Sequence, residues 1–138
     1  MNSGLYKKLQ DMSGSLIEAA EADNEALFYS QYAELEALCE SYLGGKQNHP
    51  ALWETLADFT EDNDRAIEVY NQAFALADKL KENDYKASIQ FSLGQRLIEN
   101  SRMDEARDTL LKAQKFAAYT EDLELVEEVN NILESLSE

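Results

Sequence analysis

Apolar side chains recur along this chain at alternating steps of three and four residues, from one end to the other. Phe28, Tyr32, Leu35, Cys39 and Tyr42 show the pattern, a spacing that lines residues along one face of an α-helix. Similar stripes run through Ile67, Tyr70, Ala73, Phe74 and Ala77, and through Ile89, Leu93, Leu97 and Ile98. Two more run through Met103, Ala106, Leu110, Ala113 and Phe116, and through Leu125, Val129, Ile132 and Leu136. Five glycines and one proline in 138 residues are too few to turn an all-β chain every ten residues. The expected class is all-α.

The breaks between stripes set the helix count. Gly44-Gly45 stops one helix, since glycine tolerates the left-handed conformation a helix end often requires. Pro50 suits the first turn of the next, which carries Leu52, Trp53 and Leu56. Asp62-Asn63-Asp64, with Asn63 or Asp64 as the expected cap, then Asn83-Asp84 and Asn100-Ser101 are further breaks. At the N-terminus Leu5, Leu9, Met12, Leu16 and Ala20 keep helical spacing, but Ser13-Gly14-Ser15 predicts a kink or fraying there. Seven helices joined by short loops make neighbouring helices antiparallel, and no composition shift divides residues 1–138 into separate domains.

Charge and residue type exclude several functions. Twenty-eight acidic against twelve basic side chains give a formal net charge of −16, a field that repels nucleic-acid phosphate and an anionic membrane surface alike. One cysteine allows no internal disulfide, and one histidine allows no His-rich metal site. No signal peptide or membrane span is legible, so a cytoplasmic location is expected. His49, just before Pro50, reads as a capping or surface residue, and Cys39, on an apolar stripe, as a buried structural thiol. Asp58, Thr60, Asp62 and Asn63 resemble the start of a calcium loop, but the twelfth position is Val69 instead of a bidentate Glu. No phosphate loop or dinucleotide fingerprint is present. No enzyme chemistry, cofactor or small-molecule substrate is expected.

Two stretches share a pattern. The first places Trp53 and Leu56-Ala57 ahead of Ala66, Tyr70 and Ala73; the second places Leu93-Gly94 and Leu97 ahead of Met103, Ala106, Leu110 and Ala113. In each, a small residue lets the second helix approach closely and flanking alanines admit the next hairpin. This resembles the tetratricopeptide repeat, whose signature is a Trp, a Leu-Gly pair, an aromatic, then Ala, a large residue and Ala. Ala57 replaces the usual glycine, the repeat-final proline is absent, and Ala73 and Ala113 lie forty residues apart, as in the long-helix branch. The other reading of the same residues is a plain antiparallel bundle. Read as repeats, the chain has a degenerate hairpin over 1–45, repeats over 50–82 and 85–119, and an acidic capping helix over 121–138.

What the resemblance implies is a scaffold that holds a protein in a concave groove lined by the first helix of each hairpin. The implied groove positions are Ala51, Glu54 and Asp58 in the first repeat, and Ser88, Phe91, Gln95 and Ile98, with Glu99 nearby, in the second. Relatives that grip acidic chaperone tails carry Lys, Asn and Arg there; Glu54, Asp58 and Gln95 stand here instead. Phe91 and Ile98 either face outward as an interface or pack on a neighbouring helix. A strongly acidic surface raises association rates with basic proteins. The expected function is therefore a non-catalytic inhibitor of the immunity or antitoxin type, covering a basic toxin or nuclease. The alternative is an adaptor or secretion chaperone that keeps a client soluble through apolar groove residues.

Overall fold

The computed structural model describes residues 1–137 and is built of seven α-helices and their connections among those residues. They are α1 (Ser3–Glu21), α2 (Glu25–Ser41), α3 (Pro50–Phe59), α4 (Asn63–Lys79), α5 (Asn83–Glu99), α6 (Met103–Ala117) and α7 (Leu123–Leu136). Each helix packs on its neighbours in sequence. The odd-numbered helices also adjoin, α1 touching α3 and α3 touching α5, so the hairpins stack side by side as a solenoid-like all-α fold. α7 closes the stack on α6, and Glu138, the last residue of the expected cap, lies outside the described residues.

Local chemistry explains most boundaries. His49 is the N-cap of α3, its Nδ1 accepting from the Ala51 amide at 3.1 Å, with Pro50 in the first turn. Asp62, not Asn63 or Asp64, caps α4 by accepting from the Arg65 amide at 2.8 Å. α1 runs unbroken through Ser13-Gly14-Ser15, because Leu9 and Leu16 on either side are both buried and hold its axis. Gly44 takes a left-handed φ of 71° after α2.

Three connections share one solution that needs no glycine. Asp23, Lys81 and Ser101 follow the C-caps of α1, α4 and α5 with left-handed φ of 54°, 58° and 59°. The next residue's amide reaches back across the turn in each case: Asn24 to Ala19 O, Glu82 to Ala77 O and Arg102 to Leu97 O, at 2.9–3.0 Å. This is the Schellman closure of a helix end, and the donor residue is already the N-cap of the following helix.

The core has two parts. The larger joins α1 to α6 through fully buried Leu16, Leu35, Cys39, Leu52, Leu56, Val69 and Ile89. The smaller gathers Phe91, Leu110, Ala113 and Val129 from α5, α6 and α7, with Ile98 half-buried against both. Gly94 sits where α5 meets α6: a Cβ added there would stand 2.6 Å from Leu110 Cγ and Cδ2.

Candidate functional site: the face shared by α3 and α5

The expected groove residues all fall on α3 or α5, but they divide into three groups. Ala51 is buried in the larger core, and Phe91, at 9% exposure, is buried in the smaller one. Both are covered by the chain's own helices and are not part of its exposed surface. The reason is that α3 and α5 are inner helices, covered over more than half their circumference, so the apolar stripe is wider than one face. Ile98 is half-buried between the two cores.

A second group forms ties between helices. The Glu54 carboxylate accepts from the Ser88 hydroxyl at 2.7 Å, linking α3 to α5. Asp58 accepts from the Tyr70 hydroxyl at 2.6 Å, linking α3 to α4. Burial pushes the Glu54 carboxyl up to about 7, with Asp58 adding to the rise and the Ser88 hydroxyl opposing it. Glu54 therefore carries only part of a charge near neutrality. Burial also raises Asp58, against the pull of the Tyr70 hydroxyl and Arg96. Asp58 keeps a solvent-exposed edge while protein crowds it closely enough to desolvate it.

Gln95 and Glu99 make the third group, one and two turns further along α5 and exposed. Together with Asp58, Tyr70, Ser92 and Arg96 they line a polar recess of about 230 Å³. Arg96 is the residue that organises it. Its Nη1 donates to Thr60 O at 2.8 Å and Asn63 Oδ1 at 3.4 Å, and its Nη2 to Asp58 O and Ala57 O at 3.4 and 3.5 Å. The guanidinium thus satisfies carbonyls at the C-terminal end of α3, where the helix dipole favours a cation. Its Nε lies 3.9 Å from Glu99 Oε2.

Sequence reasoning missed Tyr70, Ser92 and Arg96. Ser92 was within reach of the pattern, four residues after Ser88 and three before Gln95 on the same helix face. Tyr70 was counted only as an apolar stripe residue, although its hydroxyl asks for a partner when buried. Arg96 carried no sequence signal, because its carbonyl partners are 33 to 39 residues away.

The other two singled-out residues behave as packing residues. Cys39 is fully buried, its Sγ donating to Leu52 O at 3.2 Å, and burial pushes the thiol up to about 12. His49 stacks edge-on to Tyr85 at 4.8 Å, and burial lowers its pKa against the pull of Glu82, 3.4 Å from Nε2. Among the described residues no helix is long and apolar enough to cross a membrane. Compared with known protein families, curated proteins and solved structures, the chain matches none.

Proposed function

We propose that this chain is a non-catalytic, tetratricopeptide-like module that binds a basic protein through the polar recess between α3 and α5. The observation that carries the reading is that exposed Gln95 and Glu99 and the edge of Asp58 converge on one concave surface of a chain bearing a net charge of −16. The adjoining of α3 with α5, and the packing of Gly94 against Leu110, support the repeat reading. The specific form we favour is an immunity or antitoxin-type inhibitor acting in the cytoplasm, its carboxylates standing in for the phosphates a basic toxin or nuclease grips. Burial of Phe91 takes away one of the two apolar contacts on which an adaptor or secretion chaperone would have relied.

The foremost contact charge on this reading is Glu99; Asp58 is held by the Tyr70 hydroxyl but keeps an exposed edge, and Glu54 is engaged with Ser88 and only partly charged. The experiment is capture of partners from host lysate at low and near-molar salt, with the native chain and a Gln95→Lys/Glu99→Lys variant. Both substituted positions are exposed, so the fold is retained. A basic protein captured at low salt, released at high salt and lost in the variant is the expected result, because exposed charges are screened within about 3 Å at 1 M salt. Salt-tolerant clients held equally by the variant would replace the inhibitor with the adaptor.

A further inference from the structure

Four aromatic rings meet at a place that shares no residue with the concave recess. Phe28, Tyr29 and Tyr32 from α2 and Phe59 from the last turn of α3 wall a recess of about 310 Å³. Phe28 stands edge-on to Tyr29, centroids 5.8 Å apart and planes at 83°, and lies 6.5 Å from Phe59 at 61°. Phe28, Tyr32 and Phe59 are half-buried against the larger core, and Tyr29 is the ring that stands out from it. Two hydrogen bonds hold them: Tyr29 donates to Glu61 Oε2 at 2.8 Å, and the Tyr32 hydroxyl pairs with Thr60 Oγ1 at 2.8 Å. Tyr29 remains 52% exposed.

The rim gives the sign of the ligand. Glu36, Glu61 and Asp62 line the recess, and the cation among its lining residues, Arg65, faces Glu68 at 3.4 Å. A neighbouring recess of about 240 Å³ shares Phe28, Tyr29 and Glu61 and adds Asp23 and Glu25. An anion would be repelled here, and an apolar side chain would desolvate carboxylates with nothing in return. A planar cation satisfies both parts: it stacks on the rings and forks its N–H groups to the carboxylates.

We propose that this aromatic recess receives the guanidinium of an arginine presented by the chain's basic protein partner. The proposal rests on the reading of the chain as a module for such a partner, and charge complementarity selects the occupant. The test uses the full chain and a capped pentapeptide carrying two arginines, followed by the ring resonances of Phe28, Tyr29 and Phe59. Saturable shifts of those rings are expected, absent with the same peptide carrying neutral citrulline in place of arginine. Tyr29→Ala should weaken binding by about two- to fivefold, the range of an exposed cation–π contact, and the conservative Glu61→Gln by up to about fivefold, the range of an exposed ion pair. Equal shifts from the citrulline peptide, or shifts spread over the acids of α7 without preference for these rings, overturn the proposal. Tetramethylammonium shifting the rings as strongly as the arginine peptide overturns it too, in favour of a free organic cation. Arginine-dependent ring shifts support the recess even if no basic partner is captured. A captured partner whose affinity survives both Tyr29→Ala and Glu61→Gln overturns the recess and leaves the concave face standing.

Discussion

Replacing Gly94 by alanine tests the packing on which the stack depends. In an exposed helix interior the change would stabilise by about 1 kcal/mol, because alanine loses less backbone entropy than glycine. Here the new Cβ would stand 2.6 Å from both Cγ and Cδ2 of Leu110, so the gap must open by about 1 Å to reach ordinary carbon–carbon contact. Leu110 cannot simply swing away. It is fully buried among Phe91, Ala113 and Val129, and the clash involves its branch carbon as well as a terminal methyl. Overpacking of this kind costs about 1–3 kcal/mol, outweighing the helix gain and leaving a net loss of roughly 1 kcal/mol. The internal control is Gly14→Ala on α1, where an added Cβ meets nothing within 4 Å, so the same chemical change should stabilise by up to about 1 kcal/mol. Thermal unfolding followed by helical circular dichroism reads both, with a Tm change of about 3 °C per kcal/mol expected at this chain length. Leu110→Ala closes the cycle: alone it leaves a cavity costing about 2–5 kcal/mol, and with Gly94→Ala the pair should cost less than the sum. Gly94→Ala stabilising as much as Gly14→Ala would refute the argument.

Substitutions at four further positions probe the face between α3 and α5 and the turns that frame it. The Glu54 carboxyl titrates at about 7 in the fold against 4.5 for the free group. Its contribution is therefore full below pH 4.5 and lost as pH rises through 7. Glu54→Gln should match the parent at pH 4 and exceed it by about 1–3 kcal/mol at pH 8; parallel pH profiles for the two in urea unfolding would show that burial does not act on this group. Arg96→Ala removes the side-chain donor from Thr60 O and Asp58 O at the end of α3 and should cost about 2 kcal/mol, with Arg96→Lys recovering less than half because one ammonium cannot replace the fork. Lys81→Gly and Ser101→Gly relieve left-handed backbone at φ of 58° and 59° and should each stabilise by about 1 kcal/mol, adding independently since the turns are separate.

How far the face was legible in the sequence varies from residue to residue. The spacing of Ser88, Gln95 and Glu99 placed them on α5 correctly, and Gln95 and Glu99 are indeed exposed. Phe91 lies on the same helix and obeys the same spacing, yet it is core. What covers it is Val129 on α7 together with Leu110 on α6, and periodicity within one helix cannot see which other helix lies over it. Glu54 and Asp58 were legible as acids but not as acids tied to other helices, because their partners Ser88 and Tyr70 are 34 and 12 residues away.

The sequence by itself determined the all-α class, the seven helices and the close approach at Gly94. The first two follow from a 3.6-residue period and from the few residues able to break it, which are local. The third follows from a small residue on one helix and a large one on the next helix of the same hairpin. It did not reveal the three glycine-free turns, since Asp23, Lys81 and Ser101 are held left-handed by helices already packed on both sides. Only the tertiary structure decided which carboxylates remain free charges and which became hydrogen-bonded ties. It also decided where Phe28, Tyr29, Tyr32 and Phe59 meet. Burial and ring-to-ring distance are sums over chain segments that the order of residues alone does not bring together.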